Sequence, residues 1–198
     1  GVWASKAIKE AQVIGNTRII ASSEDKKFNY IPRNYPIPGD ADYCHITSNN
    51  TIYGTQMKKF PVTSVPLVCD MSSDIFSRKI DGKQFGLIYA GAQKNMGPAG
   101  ATMIAVKESL LGKTGRTMLS MLDYKVHIQG NSMYNTPPVF PIYVSLLTMQ
   151  WLKKNGGVEW IEGVNNKKAS TLYAEIDRNS MFKGNTEKED RSNMNVTF

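Results

Sequence analysis

Two short apolar runs constrain this chain more than any other feature. "VPLVCDMS" (65–72) stays apolar up to Asp70, and "FGLIYAG" (85–91) stays apolar up to a glycine. Neither alternates with polar residues, so each reads as a strand inside a mostly parallel sheet, covered on both faces. "DYCHIT" (42–47) and "ATMIAVKES" (101–109) read as further strands, and so do "TRIIASS" (17–23) and the terminal "NMNVTF". Helices are expected over 3–12, over 138–157 with a proline near the start and Gly156-Gly157 as a stop, and over 158–177. Strands alternating with helices define an α/β architecture, a mostly parallel central sheet flanked by helices. Ligands in such folds bind beyond the carboxyl ends of the strands.

The second run leads into a chemically pointed segment. In "GLIYAGAQKNMGPAG" (86–100) the strand gives way to small residues and one lysine, Lys94. Burying an ammonium is costly unless it is paired or neutralised. Gly91, Ala92, Gly97, Ala99 and Gly100 keep side chains away from Lys94, which leaves room for something bulky.

Composition excludes several alternatives. Net charge is +7, from 24 Lys and Arg against 17 Asp and Glu, but the basic residues are scattered and form no stripe. No zinc-finger spacing or aromatic RNA-binding motif accompanies them, and attraction of small anionic substrates is as consistent with the charge as nucleic acid is. No apolar run approaches the ~20 residues that cross a bilayer. Two dispersed histidines and two dispersed cysteines make no zinc site. Cys44 and Cys69 lie in strand-like runs and read as reduced core thiols, as in a cytoplasmic protein. Ser72 and Ser73 have no nearby histidine for a triad, and His45 reads as a core residue or pocket wall. The expectation is no metal, no membrane and no nucleic acid.

Asp70 and Lys94 therefore stand at the ends of neighbouring strands. A carboxylate and an amine so placed match the pair that holds pyridoxal phosphate. The lysine bonds the aldehyde carbon, and the aspartate keeps the pyridine nitrogen protonated so that the ring acts as an electron sink. Desolvation lowers a lysine's pKa and makes it a usable nucleophile. A buried Asp–Lys pair without chemistry satisfies the same spacing.

"YAGAQKNMGPAG", "VCDMSSDIFSRKID", "NNTIYG", "GNSMYNTPP" and "RSNMNVTF" together resemble, in the same order, segments of the phosphoserine aminotransferase family. These are class V enzymes of the pyridoxal-phosphate fold type I. The resemblance implies catalytic roles for Lys94 and Asp70. It further implies that Trp3 stacks on the cofactor ring, that Thr51 bonds the cofactor beside its phenolic oxygen, and that Gln93 contacts its phosphate. Asn135 and Thr136 match a pair that reaches the cofactor phosphate of the other subunit, so a homodimer with shared sites is implied. Without the resemblance, Trp3 reads as core, Thr51 as a turn cap, and Asn135-Thr136 as a lead into the helix after Pro137-Pro138. The implied reaction moves the amino group of L-glutamate to 3-phosphohydroxypyruvate. Many bacterial members also act on a four-carbon phosphorylated keto acid on the way to pyridoxine. Other class V enzymes, an alanine–glyoxylate aminotransferase or a cysteine desulfurase, remain alternatives, although Cys69 is strand-bound and unsuited to a mobile catalytic thiol. A basic nucleic-acid-binding domain is the alternative from another class; visible absorbance from a bound cofactor separates it.

"GVWASKAIKEA" reads as a helix already under way rather than a targeting sequence. The expectation is a segment of a longer protein, with residues 1–177 belonging to a large cofactor-binding domain and 178–198 opening a small C-terminal α+β domain. Such a segment is expected to be inactive alone.

Overall fold

The computed structural model describes residues 1–198. The chain opens with helix α1 (Val2–Ile14) and, after a long irregular stretch with one 3₁₀ turn at Glu24–Lys26, enters strand β1 (Cys44–Thr47). A tight hairpin comes next, β2 (Asn49–Asn50) against β3 (Thr55–Gln56). Strands β4 (Leu67–Asp70), β5 (Leu87–Gly91) and β6 (Thr102–Val106) complete the sheet. Its order is β1-β4-β5-β6, parallel across the first two pairings and antiparallel across the last. The expected mostly parallel sheet is therefore present, with β6 running the other way along its edge.

Register gives each face its character. Thr47 lies opposite Asp70, and Asp70 opposite Tyr89. Because side chains alternate along a strand, Cys44, Ile46, Leu67, Cys69, Ile88 and Ala90 share one face, and all six are buried in the main core with Met71, Phe85 and Met96. A fully buried aliphatic side chain such as Leu67 contributes about 2 kcal/mol by leaving water. The opposite face carries His45, Thr47, Val68, Asp70, Leu87 and Tyr89. All but Thr47 are only half-buried, a lighter cover than the first face has. This second face is where the polar groups gather.

Two expected strands are absent. Residues 17–23 form no ladder. Ile20 packs its side chain on the core, but the backbone of this stretch pairs with no strand, and β1 ends the sheet on that side. The terminal "NMNVTF" is likewise irregular apart from its neighbour Arg191, which makes one isolated bridge to Thr55. Side chains hold it instead: Asn49 donates to Asn195, and the Thr197 hydroxyl donates to the Tyr53 carbonyl at 3.3 Å.

The helices obey their patterns. A short α2 (Tyr124–Gln129), not foreseen from the sequence, starts where the Asp123 carboxylate accepts the Lys125 N–H at 2.9 Å. Helix α3 (Val139–Lys154) and helix α4 (Gly157–Arg178) pack together through an edge-to-face Trp151–Trp160 pair at 5.4 Å. Along α3, Val139, Phe140, Ile142, Tyr143, Leu146 and Leu147 are exposed.

Candidate active site

The site is assembled where β4 and β5 end. Asp70 closes β4, and its Oδ1 accepts the Ser72 N–H at 2.9 Å, an aspartate turn that fixes the carboxylate. The Ser72 hydroxyl in turn accepts the Gly91 N–H at 3.1 Å. This cross-link ties the end of β4 to the end of β5, so Asp70 and the segment bearing Lys94 are held by one small network.

Beyond Gly91 the chain makes a single tight turn. Met96 N–H and Gly97 N–H both donate to the Ala92 carbonyl, at 3.1 and 2.8 Å. Ala92 and Met96 plug into the core on either side of the turn, at 1% and 6% exposure, and Asn95 Nδ2 donates to the Ile75 carbonyl at 2.9 Å. Lys94, between these anchors, is left exposed at the crest. Small residues here serve the turn as much as any ligand. A Cβ on Gly97 would stand 2.9 Å from Ser145 Oγ and 3.3 Å from its backbone nitrogen, so only glycine lets the turn press against α3.

Lys94 faces α1. Its Nζ lies 5.8 Å from the centroid of the Trp3 ring, and Lys6 Nζ lies 4.7 Å from the same ring. Trp3 itself is 44% exposed, so its reading as a buried core residue does not hold. Trp3, Thr51, Ser73, Lys94, Asn95, Met194 and Asn195 line a cleft of about 340 Å³. A larger hollow of about 410 Å³ lies on α4 among Lys167, Lys168, Thr171, Leu172 and Glu175, but it is a furrow along one helix into which no reactive group converges.

The structure thus brings Trp3, Thr51 and Lys94 into one cleft and sets Asp70 on the adjoining strand. Gln93 is exposed, folded back over the bare Cα of Gly91. Asn135 and Thr136 are exposed and do not line the cleft; Asn135 Nδ2 meets Met121 Sδ at 2.8 Å. Ser73, Asn95, Met194 and Asn195 were not foreseen. The asparagines of "RSNMN" were the available signal, because such residues favour side-chain-bonded loops over strands.

Around Asp70 the half-open sheet face supplies polar neighbours. His45 Nε2 and the Tyr89 hydroxyl are 3.0 Å apart, with their rings stacked at 5.9 Å. Burial lowers the His45 pKa, partly opposed by the Asp70 charge, and burial raises that of Tyr89, which the Asp70 charge reinforces. Both are therefore neutral neighbours of the carboxylate at neutral pH. Burial also pushes the Cys69 thiol up, and the residue is fully enclosed, so it has no access as a thiolate. Beneath the site, Asp74 is 4% exposed and accepts from Ser48, from Gln56 Nε2 at 3.2 Å and from Arg78 Nη2 at 3.4 Å. Burial lowers the nearby Lys58 pKa to about 8.

A mostly parallel sheet, a lysine at the crest of a turn beyond one strand and an aspartate closing the next define a class. Residues 8–198 match the family described as Aminotransferase class-V, and the chain belongs to it. Within it, the chain is 66% identical over 198 residues to the phosphoserine aminotransferase of Flavobacterium psychrophilum, covering 100% of this chain and 56% of that protein. Among solved structures, the phosphoserine aminotransferase from Bacillus circulans subsp. alkalophilus superposes with a TM-score of 0.96 at 47% identity, covering 100% of this chain and 56% of that one. The pyridoxal-phosphate-bound phosphoserine aminotransferase from Trichomonas vaginalis gives a TM-score of 0.94 at 32% identity, over 100% and 60%. The chain spans about half the length of the curated relatives it matches.

Proposed function

We propose that the protein carrying this chain is a pyridoxal-phosphate-dependent phosphoserine aminotransferase. It would transfer the amino group of L-glutamate to 3-phosphohydroxypyruvate, giving O-phospho-L-serine and 2-oxoglutarate. The observation that carries this reading is the cleft, lined by Thr51 among others, in which Lys94 Nζ stands over the Trp3 ring, with Asp70 on the neighbouring strand end. The donor set suits the cofactor: one primary amine, one aromatic face, one hydroxyl and one carboxylate whose second oxygen is not used by Ser72. Identity of 66% to a phosphoserine aminotransferase supports this substrate pair over other class V reactions, and the enclosure of Cys69 argues against a desulfurase.

Pyridoxal phosphate, when bound, supplies an aldehyde carbon that exchanges amines and a ring that takes up the electron pair released at the substrate's Cα. In this reading the residues do the rest. Lys94 would hold the aldehyde carbon, and its free Nζ would take the proton from the substrate's Cα. Asp70 holds the proton on the ring nitrogen. Trp3 packs on the ring face, Thr51 donates to the ring oxygen, and Gln93 with Asn135 and Thr136 serves the phosphate. The last two act across a homodimer; the exposed apolar residues from Met118 to Trp151 support that assembly by offering it a surface. We place the protein in the cytoplasm, in serine biosynthesis and, through a four-carbon phosphorylated keto acid, in pyridoxine biosynthesis. Residues 1–177 are assigned to the large domain and 178–198 to the start of the small one.

The test is borohydride reduction of the holoprotein followed by peptide mapping. The label is expected on Lys94, and Lys94→Ala is expected to abolish it and the amino transfer together. A reducible label on another lysine would overturn the assignment.

A further inference from the structure

The orientation of one side chain in the cleft is dictated by a buried chain of hydrogen bonds, and it gives Asn195 a role. Backbone N–H groups can only donate, and those of Met194 and Asn195 both point at the Ser192 hydroxyl, each at 3.0 Å. Ser192 Oγ is therefore an acceptor twice over, and its own proton goes to Asn49 Oδ1 at 2.5 Å. That sets the amide of Asn49, which is 1% exposed: its Nδ2 must donate, to Ser73 Oγ at 2.8 Å and to Asn195 Oδ1 at 2.7 Å. The Ser73 hydroxyl is free to accept because its proton goes to the Asn49 carbonyl at 2.9 Å. Asn195 thus has its oxygen committed inward. Its NH₂, which meets no protein acceptor, is left at the wall of the cleft that it shares with Lys94, Thr51 and Trp3.

We propose that Asn195 is a binding residue of this site, donating a hydrogen bond from Nδ2 to an anionic oxygen of the bound molecule. The inference rests on the reading of the cleft as the pyridoxal-phosphate and substrate site. An oriented amide with no acceptor of its own suits an oxygen that carries no proton. Two sources share that chemistry: an oxygen of the cofactor, and a carboxylate of glutamate or 2-oxoglutarate. The buried chain behind it keeps the amide from turning, because a flip would set two NH₂ groups against each other at 2.7 Å. The donor is accordingly preorganised, and binding loses little side-chain entropy at this residue.

Asn195→Asp isolates the donor. It keeps an oxygen for Asn49 to donate to, so the structural part of the residue survives, but it turns a second oxygen toward the cleft. Asn195→Ala removes both parts. Two quantities are measured on each purified protein: uptake of pyridoxal phosphate by the apoprotein, followed by visible absorbance, and binding of 2-oxoglutarate to the loaded protein. Losing a hydrogen bond to a charged group weakens binding by about tenfold or more. The expected result is that Asn195→Asp weakens one of these constants at least that much, and more than Asn195→Ala does, with its melting temperature close to wild type. Weakened cofactor uptake assigns the acceptor to the cofactor; weakened 2-oxoglutarate binding alone assigns it to the substrate carboxylate. Where Asn195→Asp fails to fold, Asn195→Ala decides by the same tenfold criterion. Full binding by Asn195→Asp, or unchanged constants in Asn195→Ala, overturns the inference alone. A wild-type apoprotein that takes up no pyridoxal phosphate overturns the proposed function and this inference with it.

Discussion

Replacing Asp74 by alanine and by asparagine separates the charge of this buried carboxylate from its role as an acceptor. Three donors converge on it: the Ser48 hydroxyl, Gln56 Nε2 and Arg78 Nη2. In Asp74→Ala, Ser48 can turn its proton to the Asp70 carbonyl at 3.0 Å, and Arg78 keeps the Met57 carbonyl at 2.6 Å. Gln56, 1% exposed, loses that acceptor outright. A stranded buried donor costs about 1–3 kcal/mol. Breaking a buried ion pair costs about 3–5 kcal/mol, reduced here because Arg78 retains a carbonyl and the Phe60 ring at 5.2 Å. The expected loss is about 4 kcal/mol in all. In Asp74→Asn the new NH₂ can face Ser48, whose proton turns to Asp70, while the remaining oxygen still accepts from Gln56 and Arg78. The ion pair with Arg78 is lost here too, but every donor keeps an acceptor, so the expected loss is about 1–2 kcal/mol at neutral pH, well below that of alanine. Burial raises the Asp74 carboxyl above its ordinary 3.8, against the hydrogen bond from Ser48 and the charge of Arg78. Its contribution to stability is therefore complete below that ordinary value and lost as pH rises through the folded one. Asp74→Asn does not titrate there, so it should gain on wild type as pH is raised from about 4 to about 7. Denaturant midpoints of the three proteins across that range are the measurement. Asparagine falling as far as alanine, or an asparagine–wild-type gap that stays flat with pH, would refute the reasoning.

Asp70→Asn should keep the fold, since an amide oxygen still accepts the Ser72 N–H. If the proposed function holds, it should slow amino transfer by a barrier increase of about 3 kcal/mol or more, because the charge proposed to hold the ring-nitrogen proton is gone; near-normal turnover would make Asp70 a structural residue only. Gly97→Ala should destabilise the protein by about 1–3 kcal/mol and weaken cofactor uptake, because its Cβ would crowd Ser145 and lift the Lys94 turn off α3. Pairing it with Ser145→Gly should recover part of the melting temperature, and no recovery would place the strain elsewhere.

Sequence by itself determined the strands Leu67–Asp70 and Leu87–Gly91, the two long helices, and the placing of Asp70 and Lys94 near neighbouring strand ends. Those features arise from periodicity and length, which act within a few residues. It overcalled strands at 17–23 and at the terminus, because strand preference is set by tertiary context and an apolar or β-branched run becomes a strand only where its backbone pairs with a neighbour. It could not show that the small residues around Lys94 let a turn seat against α3, since that depends on Ser145, far along the chain. The approach of the Trp3 ring to Lys94 and the meeting of Asn49 with Asn195, 146 residues apart, were likewise decided by tertiary structure. A hydrogen bond of that span leaves no periodic trace in either segment; it exists only because the sheet, the hairpin and the end of the chain are already packed around one buried amide.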